Sequence, residues 1–444
     1  MALMSLKFYN TLTRELEVFT SISDVVKIYT CGPTVYDYPH IGNWRSFIFS
    51  DTLRRSLNYL GYQTKSVINI TDVDDKTILG SQKAGQKLLD FTRQYEEAFL
   101  RELDELNILT PDITPRATEY VPQMIELITH LLENGCAQKE ADGIYFLLAK
   151  DENYGRLKNI ERNIENDFAL WKFWKESDGE VVWEAPFGKG RPGWHTECLA
   201  MILALLGEEI NIHTGGIDLI FPHHENELAQ ALALTDKPLA NFWLHSHFVN
   251  INNEKMSKSL NNFITLNDLK NKKINPLAYR YFVLNAHYQT DLNYTDESIQ
   301  SAQNAYEKLQ QFVTEVSPQG TRGETSVSES LASPSWQNLF REALEDNLNT
   351  AKALGVVWRM LSDKELTDSQ KLATILDFDK VLGLDLENSS KITEIPPEIA
   401  KLLTERELAR KAQNWPLSDT LRTQIESLGY QIKDTDSGSL LTKK

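Results

Sequence analysis

His223 and Glu227 stand four residues apart at the start of a helical pattern, so their side chains share one face. That spacing suits two ligands of one metal ion. Cys31 follows a short β-branched run, Val25 to Ile28, and Cys198 precedes a second apolar helical run, Leu199 to Leu206. In a parallel sheet these positions can converge on the carboxyl edge, where ligands of open α/β sheets bind. Cys31, Cys198, His223 and Glu227 together make a donor set suited to zinc. Their spread along the chain is unlike the close pairs of a zinc finger and points to an active-site metal. Spacing alone leaves that reading level with two unrelated cysteines beside a helix carrying a solvated histidine and glutamate.

Two further stretches could handle a polyphosphate. Tyr29 to Asn43 forms a loop between the strand at Val25 and a helical pattern with Phe49, Leu53, Leu57 and Leu60 on one face. His40 lies just before that helix, whose N-terminus can receive an anion. Lys255-Met-Ser-Lys-Ser259 carries two lysines and two serines in a polar loop. Phosphoryl chemistry depends mainly on positioning and charge stabilisation, which such a loop can supply. A solvated lysine-rich surface loop reads equally well from these residues by themselves.

The elements that must position these groups follow in order. A second strand is expected over Thr64 to Thr71, ending in the acidic Asp72-Val-Asp-Asp-Lys76, then a helix with Tyr95, Phe99 and Leu103 on one face. Residues 121–189 read as an insertion, with an amphipathic helix around Met124 to Leu132, a strand from Gly143 to Leu148 and a polar loop from Asn153 to Asn166. The sheet pattern returns with a strand Ile210 to His213, a glycine turn Thr214 to Asp218, and a strand Phe242 to Val249. Pro276 to Phe312 is helical, 317–335 is a Ser/Gly/Pro/Thr-rich linker, and helices resume to 385. The last stretch, 396–444, has two helices and a terminal hairpin.

Composition narrows the class. The chain has 444 residues, 41% hydrophobic and 25% charged, which is ordinary for a globular protein of about three domains. No apolar run reaches the roughly 18 residues of a membrane span. The N-terminus lacks a signal-peptide pattern, and three widely spaced cysteines make no disulfide framework, so a reducing cytoplasmic setting is expected. A net charge of −17 argues against non-specific nucleic-acid binding. It leaves room for local basic tracks, one at Lys255, Lys258, Lys270, Lys272, Lys273 and Arg280, another at Arg406, Arg410, Lys411 and Arg422.

His40-Ile-Gly-Asn43 and Lys255-Met-Ser-Lys-Ser259 resemble the two signature motifs of class I aminoacyl-tRNA synthetases, with Asn43 where that pattern most often ends in His. Three longer strings narrow the resemblance: Thr30-Cys-Gly-Pro-Thr-Val-Tyr-Asp37, Gly190-Arg-Pro-Gly-Trp-His-Thr-Glu-Cys198, and Gly215-Gly-Ile-Asp-Leu-Ile-Phe-Pro-His-His-Glu-Asn-Glu227 are similar to the cysteinyl-tRNA synthetase family. Asp167 to Lys172 and Asp346 to Thr350 extend the likeness over almost the whole chain. The segment between Arg156 and Asp167 is shorter than in that family. The end, Asp434 to Lys444, lacks the aromatic and arginine residues expected there.

The resemblance implies an α/β fold: a Rossmann-like class I catalytic domain over 1–120 and 190–250 with a connective insertion at 121–189, a signature-loop and stem-contact region at 251–315, and a linker at 316–335. A helical anticodon-binding bundle at 336–395 and a small C-terminal domain at 396–444 would follow. It also implies a cysteine–tRNA ligase activity through cysteinyl-adenylate. One Zn2+ would be held by Cys31, Cys198, His223 and Glu227 and would select the substrate thiolate. His40, Asn43, Lys255 and Lys258 would act on ATP, which binds with Mg2+, and Trp194, Thr71, His213 and Asp218 would contact substrate. His224 could serve a supporting or a purely structural role. The implied partners are tRNA(Cys), L-cysteine and ATP, with no membrane, for a monomeric cytoplasmic enzyme. A ligase joining activated cysteine to a small amine would share the zinc and ATP residues but need no residues 336–444. A non-catalytic RNA-binding paralogue would lack His40, Lys258 or a zinc ligand, and all are present.

Overall fold

The computed structural model describes residues 5–160, 167–256, 262–317, 331–388, 397–435 and 438–443. Lys258 and most of the expected linker lie outside them. Two compact units result: Met1–Lys308 with Glu324–Leu384, and Leu309–Gly323 with Asp385–Lys444. No helix among the described residues is long and apolar enough to cross a membrane.

The first unit begins with an antiparallel hairpin, β1 (Lys7–Asn10) and β2 (Glu15–Val18). Then come β3 (Val25–Thr30), α1 (Ile41–Tyr59), β4 (Gln63–Ile68), α2 (Asp75–Ala84) and α3 (Leu88–Glu105). Helix α4 (Val121–Glu133) leads into a small antiparallel sheet of β5 (Ala137–Lys139), β6 (Gly143–Phe146), β7 (Phe168–Phe173) and β8 (Gly190–Pro192). Because β8 pairs with β7, the insertion runs slightly past the expected boundary at 189. The chain continues through α5 (Trp194–Leu205), β9 (Ile210–Gly216), α6 (Glu225–Thr235) and β10 (Ala240–Ser246).

The main sheet has the order β10-β9-β3-β4 and is parallel throughout. Its strands are apolar on both faces, as a covered parallel sheet requires. Val26 and Ile28 of β3 pack with Phe49, Leu53 and Leu57 of α1. Tyr29, from the opposite face, packs with Met124, Ile128, Leu199 and Met201 of α4 and α5. Parallel pairing sets Ile28 opposite Ile212 and Thr30 opposite Thr214, so all four strands end together.

The strand expected to run to Val249 ends at Ser246. The chain then enters a second sheet, in which β11 (Val249–Ile251) pairs with β12 (Glu254–Lys255) and with β13 (Leu292–Tyr294). Helices α7 (Leu266–Asn271) and α8 (Pro276–Leu284) precede β13, and α9 (Asp296–Val316) follows it. The helices α10 (Pro334–Glu345), α11 (Thr350–Ser362) and α12 (Asp368–Leu382) belong to the first unit. The second unit contains the helices α13 (Pro397–Lys411) and α14 (Trp415–Ser427) and the hairpin β14 (Tyr430–Thr435) and β15 (Gly438–Lys443), around Ile399, Ile425, Tyr430 and Ile432.

A buried ionic knot explains why α10 to α12 join the catalytic unit instead of standing apart. The Asp51 carboxylate of α1 accepts from the Arg280 guanidinium of α8, from Arg55 Nε at 2.8 Å and from the Leu109 amide at 2.9 Å. Arg280 Nε also donates to the Leu382 carbonyl at 2.6 Å. Burial works against the Asp51 charge, but the two guanidiniums hold its carboxyl below the ordinary range. Arg280 and Arg406 are fully buried, so both leave the surface basic tracks expected from sequence. Each guanidinium lies among apolar neighbours whose positions along the chain give no sign of it.

Helix α3 braces α1 from the far side. Trp44 of α1 stacks on Phe99, with ring centroids 5.3 Å apart, and its Nε1–H donates to Glu102 Oε2 at 2.8 Å. Burial pushes the Glu102 carboxyl up to about 7. The unfolded chain releases this proton near pH 4.3, so from there to about 7 the folded state binds the extra proton. Glu102 therefore lowers stability as pH rises through that window. Glu102→Gln should gain in urea midpoint relative to the native chain on going from pH 5 to pH 8. A difference that stays constant with pH would contradict the raised carboxyl.

Candidate active site and metal cradle

Cys31 leaves the end of β3 with its amide donating to the Thr214 carbonyl of β9 at 3.2 Å. Its Sγ lies 3.7 Å from Cys198 Sγ and 3.7 Å from Glu227 Oε1. Cys198 Sγ is 3.5 Å from His223 Nε2, which is 2.8 Å from Glu227 Oε1. The donor atoms of Cys31, Cys198, His223 and Glu227 all lie within 4.8 Å of one another, and all four side chains are buried. The quartet expected from sequence is thus brought together at the carboxyl edge of the sheet.

Two local details differ from expectation. Cys198 sits inside α5 instead of ahead of it, because the helix already starts at Trp194. His223 lies in a wider turn, Ile220–His224, that precedes α6 and is broken at the extended Phe221 (φ −140°). The glycine turn begins later than expected, since β9 continues through Gly215 and Gly216. A side chain at Gly215 would come within 2.8 Å of the His224 ring, so β9 can pass that ring only as glycine.

A second shell of imidazoles surrounds the quartet. His213 Nε2 lies 2.8 Å from Glu227 Oε2, and its ring stacks on Trp243 at 4.6 Å. His224 Nε2 is 3.3 Å from Cys31 Sγ, and its Nδ1 is 2.8 Å from His245 Nε2. His195 Nδ1 is 3.0 Å from His223 Nδ1. Trp194 lies flat over His223 at 4.1 Å and remains 39% exposed. It forms the solvent-facing lip of the cradle.

The charges suit a cation. Burial opposes the Glu227 charge, yet His223 and His213 hold its carboxyl well below the usual carboxylate range. Burial likewise opposes the His223 charge, but Glu227 and Cys198 carry it up to about 10. A hydrogen bond from Cys31 brings Cys198 down to about 6, while burial pushes Cys31 up. The cradle therefore favours one thiolate and one carboxylate balanced by positive charge. Two thiols, an imidazole and a carboxylate at these separations fit zinc chemistry.

The nucleotide side is built on α1. His40 caps the helix: its Nδ1 accepts from the Asn43 amide at 3.2 Å, and its own amide donates to Asn43 Oδ1 at 3.1 Å. An accepting Nδ1 leaves the neutral ring's proton on Nε2. The Ile41 amide donates to the Ile264 carbonyl at 2.8 Å, and the His40 ring meets Phe263 edge-on at 4.7 Å. The signature loop thus returns beside the cap. Lys255 is exposed, with Nζ 4.7 Å above the Phe248 ring centroid.

The floor between β3 and β4 is fixed by Asn69, whose Oδ1 accepts the Gly32 amide at 2.8 Å. Its Nδ2 donates to Thr71 Oγ1 at 3.1 Å. Thr71 also donates its amide to the Pro33 carbonyl at 3.0 Å. Of the residues expected to contact substrate, Thr71 and His213 are buried in the walls, while Trp194 and Asp218 are exposed. His195, His245 and Asn69 were not singled out from sequence. Asn69 and His245 do lie at strand carboxyl ends, which is the signal that could have found them.

Fold and site together define a class I aminoacyl-tRNA synthetase. A family model described as the tRNA synthetases class I (C) catalytic domain matches residues 18–304. The fold is similar to that of Mycobacterium tuberculosis methionyl-tRNA synthetase in complex with methionyl-adenylate, with a TM-score of 0.57 and 15% identity, covering 83% of this chain and 92% of that one. The Cysteine--tRNA ligase of Chlamydia pneumoniae is 42% identical over 462 residues, covering 98% of this chain and 97% of the relative. That of Protochlamydia amoebophila is 39% identical over 470 residues, covering 99% and 98%. The chain belongs to the cysteine–tRNA ligase family of aminoacyl-tRNA ligases.

Gly32 offers a direct check of the floor. A Cβ there would lie 1.6 Å from the Asn69 carbonyl oxygen, so the loops after β3 and β4 would have to separate. Gly32→Ala should lower unfolding free energy by about 3 kcal/mol or more, as backbone-against-side-chain overpacking does. An unchanged denaturant midpoint would disprove that packing.

Proposed function

We propose that this chain ligates cysteine to tRNA(Cys) by way of cysteinyl-adenylate, with a zinc ion held by Cys31, Cys198, His223 and Glu227. The single observation that supports it most is the buried quartet of donor atoms within 4.8 Å, set on the same sheet edge as the His40 cap. A zinc ion bound there would take the substrate sulfur as a further ligand and favour a thiolate over a hydroxyl. Serine and alanine would then be refused without an editing site, because the binding group is missing.

The remaining steps belong to the chain's own residues. Trp194 covers the sulfur end of the substrate, and Asp218 borders its approach. Thr71 and His213 act from the walls, His213 by orienting Glu227. His40 presents its Nε2 proton to the ATP phosphates, and Asn43 holds that ring by the reciprocal cap. A cysteine carboxylate oxygen attacks the α-phosphorus, and pyrophosphate leaves with the bonding electrons. Lys258, assisted by Lys255, neutralises charge that builds on the phosphates, with Mg2+ accompanying ATP. The 3′-terminal ribose hydroxyl of the tRNA then attacks the activated carbonyl and AMP leaves. Residues 251–315 would meet the acceptor stem, and residues 336–395 with 396–444 the anticodon side.

The test is ATP–pyrophosphate exchange dependent on cysteine, with serine as control, followed by charging of tRNA(Cys). Exchange with serine at a comparable rate would overturn the thiolate-selection reading. Exchange without charging would replace tRNA by a small amine as the acceptor. Lys258→Ala should slow exchange by about a hundredfold or more while cysteine affinity changes little. An equal loss of cysteine affinity would remove Lys258 from the phosphate side. Cys198→Ser should reduce zinc content measured by elemental analysis, and unchanged content would remove Cys198 from the ligand set.

A further inference from the structure

Glu225 lies between His223 and Glu227 but faces away from the cradle. It is fully buried. Its Oε1 accepts from the Gly155 amide at 2.9 Å and the Arg156 amide at 3.1 Å, and its Oε2 from the Leu157 amide at 2.8 Å. Three successive amides around one carboxylate form an anion nest. The nest needs a left-handed residue at Gly155 (φ +97°), a conformation natural to glycine. The next residue of α6, Asn226, accepts from the Tyr154 hydroxyl.

These contacts connect two regions that sequence keeps apart. Residues 151–157 belong to the insertion and were expected as a polar surface loop. Their amides instead clamp the one turn that carries two of the four cradle donors. Arg156 closes the loop on itself through the Asp151 carboxylate and the Asn153 carbonyl. The clamped turn has no regular α-helical path of its own, because the backbone breaks at Phe221. It therefore depends on outside partners for its shape.

We propose that Glu225 is a positioning residue that uses the amide nest at 155–157 to set His223 and Glu227 for cysteine selection. The insertion loop is then part of the specificity device and not only a connection. This rests on the zinc-cradle reading of the same site.

The test is made on the full chain with Glu225→Gln. The Gln amide group meets the Leu157 amide donor-to-donor, so one arm of the nest fails while side-chain size is kept. Zinc loss to a chelator should accelerate by about tenfold, the effect of disturbing a group that orients a metal ligand. The KM for cysteine in pyrophosphate exchange should rise by a similar factor, and the KM for ATP should stay within about twofold. Glu225→Asp, which keeps the carboxylate, should restore part of the cysteine affinity. If Glu225→Gln does not fold, Tyr154→Phe carries the same test, with a smaller shift in the same direction. A folded variant with native zinc retention and cysteine KM would overturn the proposal. So would KM values for cysteine and ATP that rise together. Native protein without zinc would refute the cradle reading separately, and the split between the two KM values would still decide the role of Glu225.

Discussion

A carboxylate removed from water must be repaid by close positive or hydrogen-bonding partners, or it takes up a proton. Glu227 meets that demand by sharing its two oxygens between His213 and His223, each at 2.8 Å. Much of the catalytic unit is arranged to allow this. Strand β9 delivers His213, the broken turn before α6 delivers His223, and Trp243 of β10 lies flat on the His213 ring. Each histidine thereby has one ring nitrogen committed to the carboxylate, and its orientation follows. A cation in the cradle would complete a charge balance that the protein walls have already begun.

The parallel sheet makes this gathering possible at low conformational cost. Cys31, Asn69, Gly216 and Ser246 end or follow four strands that stop in register, so no long loop is needed to bring them near each other. Side chains at such an edge stand on rigid elements and lose little further freedom when they bind. The nucleotide side uses the same economy. One reciprocal cap fixes the His40 ring and starts α1, so catalysis and helix formation share a pair of hydrogen bonds.

What could be read from sequence was governed by residue type. Cysteine, histidine and glutamate at strand ends and at helical spacing announce metal chemistry, and the four expected donors do converge. Strands β3 and β9 were legible from β-branched runs, and α1 from its apolar face. Glu225 and His195 were not, because a carboxylate or imidazole that holds a neighbour looks like any polar residue in a motif. The break at Phe221 left no periodic trace. Arg280 misled for a physical reason: arginine is rarely buried, and only a distant aspartate, Asp51, makes its burial tolerable. Such pairings join positions 229 residues apart and carry no local pattern.

The same knot decides where this protein is divisible. The Arg280 guanidinium gives a hydrogen to the Leu382 carbonyl, and an added Cβ at Gly383 would stand 2.6 Å from it. The end of α12 is thus the wall of a sealed chamber for a charge. Evolution can graft, exchange or discard what comes after Leu384 while that wall stays shut. A break a few residues earlier would open the chamber beneath the helix that begins at His40. The natural seam between a portable tail and an indivisible catalytic body lies just beyond the last backbone atom that touches Arg280.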